Sequence, residues 1–209
     1  RPKSDEDRAR FEKLIAQRVL PPSHLEMRGD ALFIPHAGVV DAPRYVRALA
    51  GETEIIAASA LRIESDLSHA RLVTDRGVVE ADAIVIANGA DARRLAPMRC
   101  SALEATAGQV DWFRDAPTLE HALANGPYAA PAPAGGVIIG ATYAQGAGDA
   151  DPTVETSATR ENLRRLREMD EALAAALAGL SSTPRAARRA VTPDRAPLVG
   201  AAPDIDGYG

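Results

Sequence analysis

The sequence has 209 residues, 46% of them hydrophobic and 25% charged, which excludes a disordered tail or a mini-protein. Its apolar runs, such as residues 84–87 and 137–139, are far shorter than the roughly 20 residues that cross a membrane. A single cysteine, Cys100, excludes an internal disulfide, and the four scattered histidines have no zinc-ligand spacing. The net charge of −5 argues against a domain devoted to binding nucleic-acid phosphate, although not against a nucleic-acid substrate.

The first part of the chain predicts short helices and strands. The elements expected in chain order are a helix from Ser4 that ends before Pro21, a strand at 31–34, a helix after Pro43, a strand at 54–59 and a hairpin at 70–80. Ser4 begins the first helix because its hydroxyl can accept from a free backbone N–H and acidic residues follow it. Since no signal-peptide pattern follows Arg1, we expect a piece of a longer cytoplasmic protein.

Residues 84–87 are apolar at every position, which predicts a strand buried on both faces. The strand is expected to end in the loop Asn88-Gly89-Ala90. Ligands of open α/β sheets bind at the carboxyl ends of strands, so this loop is a candidate ligand site.

The sequence pattern changes beyond a domain boundary that we place near Cys100. Strands are predicted at 109–113 and 137–143, on either side of a proline-rich stretch at 127–133. A single amphipathic helix is predicted over 157–178, because leucine and methionine recur every three or four residues. Its other face carries three arginines, for which a solvated surface is favoured over an RNA contact: Arg164, Arg165 and Arg167.

Two segments, taken together, resemble the glycine oxidase/D-amino-acid oxidase family of FAD-dependent amine oxidases. One ends in Ala87-Asn88-Gly89, and the other runs from Arg188 through Thr192-Pro193-Asp194 to Gly200. In that family a glycine-terminated strand returns to the flavin, and a strand ending in Arg precedes a turn beside the isoalloxazine. Shorter runs at 107–110 and 140–143 are similar to the oxidoreductase half of bifunctional enzymes that modify tRNA.

The resemblance implies a cofactor and a reaction. FAD takes hydride from the carbon of a C–N bond, and water hydrolyses the resulting imine. In the tRNA-modifying branch the substrate is the carboxymethylaminomethyl group of the wobble uridine, which loses its carboxymethyl arm to give the aminomethyl form. The implied partner is tRNA, with no metal and no membrane. The methyltransferase half of such enzymes, which uses S-adenosylmethionine, has no counterpart in this sequence.

The resemblance also assigns site residues, and it assigns no catalytic side chain beyond the flavin. Arg189 matches the clamp on the substrate carboxylate, a role that suits the bidentate guanidinium, although an ordinary strand arginine paired with a surface acid would have the same pattern. Tyr143 either adds a hydroxyl to that carboxylate or packs in a strand. The positions that match cofactor contacts are Leu61, Ala87, Asn88, Gly89, Pro197 and Gly200. Leu61 could equally be a core residue.

The implied fold class is α/β and α+β, with a partial FAD-binding domain interleaved with a mixed-sheet substrate domain of the D-amino-acid oxidase type. The FAD-binding domain is Rossmann-like, of the glutathione-reductase type. We expect residues 1–100 mainly in the FAD-binding domain, with the helical segment 1–25 assignable to either domain. Residues 101–192 are expected in the substrate domain, and residues 193–209 return toward the FAD-binding domain.

The sequence departs from the family pattern where the pyrophosphate should bind. The family's FAD domain opens with a strand and G-x-G-x-x-G, and no such motif occurs in the 209 residues. We therefore expect residues to be missing at both ends and near 25–30, and this piece alone to be inactive. Two alternatives stay open: a noncatalytic module with a borrowed oxidase fold, and an oxidase of free amino acids such as glycine or sarcosine.

Overall fold

The computed structural model describes residues 4–18, 20–29, 31–65, 69–96, 102–144 and 150–201. The chain divides into two compact units, each built from separated stretches. Unit 1 comprises Arg1–Leu49, Gln109–Thr142 and Val154–Arg185, and unit 2 comprises Ala50–Gly108, Tyr143–Thr153 and Ala186–Gly209. The boundary predicted near Cys100 lies outside the described residues.

The described residues form five α-helices and ten strands. The helices are α1 (Asp5–Ala16), α2 (Ala42–Ala50), α3 (Ala92–Leu95), α4 (Thr156–Met169) and α5 (Glu171–Ala178). The strands are β1 (Glu26–Arg28), β2 (Ala31–Phe33), β3 (Ala60–Ser65), β4 (Ala70–Thr74), β5 (Gly77–Ala81), β6 (Glu104–Phe113), β7 (Leu123–Ala124), β8 (Tyr128–Pro131), β9 (Val137–Gly140) and β10 (Thr183–Val191). None of the helices in the described part of the chain is long and apolar enough to span a membrane.

The strands form three sheets. The largest has the order β10-β6-β9-β8-β7, in which β6 pairs antiparallel with β9, β9 with β8, and β8 with β7. The strands β3, β4 and β5 form an antiparallel meander in unit 2, and β1 pairs with β2 in unit 1. This mixture of helices and several sheets agrees with the predicted fold class.

Unit 1 has an apolar core between its strands and the helices α4 and α5. Nine buried residues form it, namely Phe113, Ala116, Ala129, Val137, Ile139, Leu166, Met169, Ala174 and Leu177. The amphipathic stripe predicted over 157–178 therefore does face a core. It belongs to two helices and not to the single predicted helix, because the chain breaks at Asp170, whose side chain accepts from the Leu173 N–H at 2.9 Å and caps α5.

Unit 1 also contains a buried polar network around Asp111 on β6. The carboxylate is fully buried and accepts from the hydroxyl of Thr159 at 2.6 Å and from Nδ2 of Asn162 at 2.8 Å. The Ser182 hydroxyl and Gln109 Nε2 donate to it over longer distances, 3.3 and 3.4 Å. Because Thr159 and Asn162 lie on α4, these hydrogen bonds hold α4 against β6 in one register.

Several local predictions for unit 1 are confirmed. Ser4 caps α1, since its Oγ accepts from the Asp7 N–H at 3.2 Å. The strand predicted at 31–34 is present as β2, and the helix predicted after Pro43 is present as α2. The predicted solvated face of α4 is confirmed for Arg164, which pairs with Glu161 and Glu168, and for the exposed Arg167. It is wrong for Arg165, which is partly buried and donates from Nη1 to the Ala141 carbonyl at 2.7 Å.

In unit 2 the hairpin prediction is confirmed and two strand predictions are wrong. The strands β4 and β5 meet at the Asp75-Arg76 turn, as expected. Residues 54–59 and 84–87 are not in strands, and Val85 is 86% exposed where burial on both faces was expected. An apolar run becomes a strand only beside another strand, and no described strand pairs with either run.

Candidate functional site

Unit 2 contains a broad cleft of about 910 Å³, which we call the unit 2 cleft. Four stretches of chain line it. They are the loop and helix residues Ile86, Ala87, Gly89 and Ala92, the residues Leu103 and Thr106 at the start of β6, Tyr143 after β9, and the stretch 189–198 without residues 193 and 194. All four stretches belong to unit 2, so the cleft is formed within one compact unit.

An apolar cluster at the cleft fixes the positions of these stretches. Its buried members are Ala92, Ala96 and Leu103, and Ile86 and Ala190 pack against them. Every stretch that lines the cleft except Tyr143 thus contributes a residue to one small core. Burial of this apolar surface therefore couples the 86–92 segment to the end of β10.

The loop that follows Ile86 leaves its backbone accessible. Gly89 has φ +66, in the left-handed region that glycine adopts at little cost. A Cβ built on Gly89 would meet nothing within 4 Å, so open space lies beside this backbone. After Gly89 a short 3₁₀ turn leads into α3. This arrangement allows a flat ligand to approach the main chain closely.

Two consecutive arginines near the end of β10 have different surroundings. The side chain of Arg188 is only 12% exposed, and its Nη2 lies 3.4 Å from the carboxylates of Asp91 and Asp151. Its Nε and Nη1 are buried and have no hydrogen-bond partner among the described residues. The arginine with the acid partners is therefore Arg188.

Arg189 is exposed and lines the cleft. Its Cζ lies 5.3 Å from the ring centroid of Tyr143, a cation–π distance. Tyr143 itself is 54% exposed and also lines the cleft, so it is not a packed core tyrosine. Within the described ranges no carboxylate pairs with Arg189, which leaves its five N–H donors available to a ligand.

The turn after β10 holds Arg195 at the cleft in an uncommon conformation. Its φ is +60, a left-handed value that costs a non-glycine residue about 1–2 kcal/mol. The Arg195 N–H donates to the Thr192 carbonyl at 3.0 Å, and the Thr192 hydroxyl donates to the Ala196 carbonyl at 2.7 Å. The Ala196 N–H in turn donates to Asp194 Oδ1 at 3.0 Å. That backbone donor, helped by Thr192, lowers the pKa of Asp194, so the carboxylate that holds the turn is ionised at neutral pH.

The structure brings together most of the residues that the sequence singled out. Five of the eight line the unit 2 cleft: Ala87, Gly89, Tyr143, Arg189 and Pro197. Asn88 lies between two lining residues without lining the cleft itself. Leu61 lies on β3, half-exposed and away from the lining, and Gly200 is exposed outside it.

The sequence reasoning missed Arg195, Thr106 and Leu103 at this site. Arg195 follows Asp194 in the predicted turn, so its presence near the site could have been inferred from the turn motif, but its side-chain direction could not. Thr106 and Leu103 had no signal in the sequence, because only the packing of β6 beside β10 brings them to the cleft.

The charged residues that line the cleft are all positive. They are Arg189 and Arg195, and none of the lining residues is acidic. Two guanidinium groups in a cleft favour anionic ligands, and each can bind a carboxylate or a phosphate through parallel N–H donors. Among the described residues no group of three or more histidine, cysteine, aspartate or glutamate side chains could hold a metal ion.

Comparison with known proteins gives consistent matches over most of the chain. The family model described as DAO, FAD dependent oxidoreductase, matches residues 3–208. The tRNA 5-methylaminomethyl-2-thiouridine biosynthesis bifunctional protein MnmC of Maricaulis maris is 34% identical over 205 residues, which cover 95% of this chain and 32% of that protein. MnmC of Methylobacillus flagellatus is 33% identical over 177 residues, which cover 81% of this chain and 27% of that protein. The chain thus spans about a third of the length of these curated relatives.

Two of the solved structures with the same fold are glycine oxidases. Glycine oxidase from Geobacillus kaustophilus matches with a TM-score of 0.73 and 25% identity, covering 97% of this chain and 60% of that chain. Glycine oxidase from Bacillus cereus matches with a TM-score of 0.75 and 18% identity, covering 98% of this chain and 63% of that chain. The second likeness shows the fold alone.

Proposed function

The chain belongs to the DAO family of FAD-dependent oxidoreductases, and we propose that it is part of an enzyme that oxidises a secondary amine on a tRNA wobble uridine. The reaction removes the carboxymethyl group from carboxymethylaminomethyl-(2-thio)uridine and leaves the aminomethyl form. One observation carries the proposal: the unit 2 cleft brings Ala87, Gly89 and Pro197 together with Arg189, which has no described acid partner. The identity of 30–36% to several MnmC proteins supports the choice of substrate.

The residues of the cleft fit a flavin. The open space beside Gly89 would be filled by any side chain at that position, and Ala87 and Pro197 add small, apolar contacts. We therefore propose that Ala87, Gly89 and Pro197 hold FAD, with Asn88, Leu61 and Gly200 as further contacts. When bound, FAD accepts the hydride from the carbon next to the amine nitrogen.

In this proposal the chain's own side chains orient the substrate. Arg189 binds the carboxylate of the carboxymethyl arm through two parallel N–H donors, which fixes the direction of the adjacent C–N bond. The Tyr143 hydroxyl is available to the same carboxylate, because the ring lies beside the Arg189 guanidinium and is half-exposed. Neither side chain has to transfer a proton, so the reaction needs no acid/base pair.

The proposed partner is tRNA, and the proposed place of action is the cytoplasm. A charge of −5 suits an enzyme that recognises one modified base and has the rest of its tRNA-binding surface elsewhere in the protein. We also propose that the FAD-binding domain includes residues 50–96 of the predicted stretch 1–100, together with residues 193–201, and that the substrate domain includes residues 109–142 and 154–185 of the predicted stretch 101–192. Each of these sets falls within one compact unit, whereas residues 26–49, also predicted for the FAD-binding domain, fall in unit 1.

The full-length protein that contains this chain provides the test. We expect the purified protein to show flavin absorbance and to convert carboxymethylaminomethyl uridine in tRNA to aminomethyl uridine, detected by mass spectrometry of nucleosides. Transfer RNA without the modification is the control and should leave the flavin oxidised under anaerobic conditions. A colourless protein that gains no flavin on reconstitution would favour the noncatalytic module instead.

A second candidate is the oxidation of a free amino acid such as glycine or sarcosine. The likeness to glycine oxidase from Geobacillus kaustophilus, at 25% identity and a TM-score of 0.73, favours it. The two candidates differ in the size of the substrate and in its number of anionic groups. A higher kcat/KM with glycine or sarcosine than with modified tRNA would decide for the second candidate.

A further inference from the structure

We infer that Arg195 binds a backbone phosphate of the tRNA next to the modified uridine. This inference rests on the proposed function, and it names the second anion that the unit 2 cleft accommodates. The first anion, the carboxylate of the substrate arm, is assigned to Arg189 in that proposal. A second cation in the same cleft, with no acidic residue in the lining, remains without an assigned ligand.

The environment of Arg195 leaves its charge available. The side chain is exposed at the cleft, and in the described part of the chain no carboxylate forms an ion pair with it. Arg188 shows the opposite arrangement, because its guanidinium is mostly buried against Asp91 and Asp151. Asp194, the acid adjacent to Arg195, instead accepts the backbone N–H of Ala196.

The positive φ of Arg195 indicates that its side chain has a functional role. Its φ of +60 is a conformation that glycine adopts readily and that arginine adopts with strain. Three hydrogen bonds within the Thr192–Ala196 turn maintain this conformation: Arg195 N–H to Thr192 O, Thr192 Oγ1 to Ala196 O, and Ala196 N–H to Asp194 Oδ1. A turn that needed only its shape would be more stable with glycine at this position.

The chemistry of the two candidate substrates decides what a second cation can bind. Glycine and sarcosine each carry one carboxylate, which a single arginine can clamp. A nucleotide in tRNA carries its substrate carboxylate on the base and phosphodiesters on the ribose, so it presents two separate anions. Arginine binds phosphate through the same forked N–H geometry as carboxylate. Arg195 therefore discriminates in favour of a polynucleotide substrate.

The test measures binding of an anticodon stem-loop RNA with carboxymethylaminomethyl uridine at the wobble position to the full-length, flavin-loaded protein. Fluorescence anisotropy over a series of KCl concentrations gives the Kd and its salt dependence. For Arg195→Gly we expect a Kd about tenfold higher and a slope of log Kd against log salt about 0.7 smaller, as for one lost phosphate contact. Glycine suits the left-handed backbone, so this variant should fold, which its melting temperature checks.

Two further variants complete the design. Arg195→Lys keeps the charge and should recover most of the affinity and of the salt slope. Arg76→Ala removes an exposed arginine from the β4–β5 turn of the same unit, outside the cleft lining, and should leave both unchanged. If wild-type protein binds the stem-loop and Arg195→Gly binds it with the same Kd and slope, the inference is overturned and the proposed function stands. If wild-type protein does not bind the stem-loop, both are overturned.

Discussion

In unit 1 the carboxylate of Asp111 is fully buried and accepts hydrogen bonds from four side chains, whereas in unit 2 Arg189 and Arg195 are exposed with no acid partner in the described ranges. Burying a charge is costly unless it is hydrogen-bonded, and the four donors around Asp111 offset that cost. The cleft cations of unit 2 remain solvated. The contrast shows that unit 1 uses its buried polar groups to fix structure, while unit 2 leaves polar groups available to a ligand.

The apolar cores of the two units also differ, in the number of buried residues that form them. Nine buried residues form the core of unit 1, while three form the cluster beneath the unit 2 cleft. Stability and ligand chemistry should therefore respond separately to substitution. Changes in the core of unit 1 should lower stability, and changes at the unit 2 cleft should alter cofactor or substrate binding.

The largest expected effect on stability comes from Leu177→Ala. Leu177 is 0% exposed in the core of unit 1, and truncating such a leucine costs roughly 2–5 kcal/mol of unfolding free energy. Denaturant unfolding of the full-length protein, followed by circular dichroism, measures this loss. The matched control Leu177→Met keeps the volume and should cost less than about 1.5 kcal/mol. Equal losses for the two variants would show that the site is not close-packed.

The largest expected effect on activity comes from Arg189→Ala. We expect kcat/KM with modified tRNA to fall at least about 100-fold, because the carboxylate loses its bidentate partner. Bound flavin and the melting temperature should stay unchanged, since Arg189 is exposed. Arg189→Lys should have a kcat/KM between those of the wild-type protein and Arg189→Ala, because lysine keeps the positive charge and loses the bidentate guanidinium geometry. Turnover at the wild-type rate in Arg189→Ala would exclude the clamp.

A smaller loss of stability is expected for Asp111→Asn. The new amide would point an N–H₂ group toward donors that now meet a carboxylate, and a broken buried hydrogen bond costs about 1–3 kcal/mol. Asp115→Asn, at an exposed position nearby, is the control and should change stability by less than about 0.5 kcal/mol. Thermal unfolding of both variants tests the comparison, and equal melting temperatures would contradict it.

The smallest expected stability effect comes from Gly89→Ala, which sharpens the comparison at the cleft. Its φ of +66 makes any Cβ unfavourable by about 1 kcal/mol, and the methyl group would enter the space assigned to FAD. Gly77→Ala is the matched control, because Gly77 also has a positive φ and open space around it but lies at the start of β5, outside the cleft lining. Both variants should lose stability, and only Gly89→Ala should weaken FAD binding in a flavin titration. Equal FAD affinity in the two variants would remove Gly89 from the cofactor site.

Local chemistry made several parts of the fold predictable. Ser4 starts α1 because a hydroxyl and three acids suit a helix N-terminus, and Asp75-Arg76-Gly77 turns the chain because glycine adopts the positive φ of +130 seen at Gly77. The break between α4 and α5 was missed because the apolar spacing continues across Asp170, from Met169 to Leu173. Its capping of α5 depends on the direction of its side chain.

Residues 54–59 and 84–87 show where such reasoning fails. Residues 84–87 are all apolar, as are residues 55–58 within the first run, and hydrophobicity predicts burial and a strand. Ile55 is 79% exposed, however, and neither run has a described strand beside it. Sheet formation depends on a partner elsewhere in the chain or outside it, so the composition of one segment cannot decide it.

The sequence by itself determined the family, the start of α1, the hairpin and the apolar stripe of α4 and α5, because these depend on residues near one another in the chain or on whole motifs. Only the tertiary structure decided which of two adjacent arginines pairs with acids and which faces the cleft, since successive side chains on a strand point to opposite faces. It alone brought Arg195 and Thr106 to the same cleft as Gly89. Those contacts join residues that lie far apart in sequence, and only packing within unit 2 brings them together.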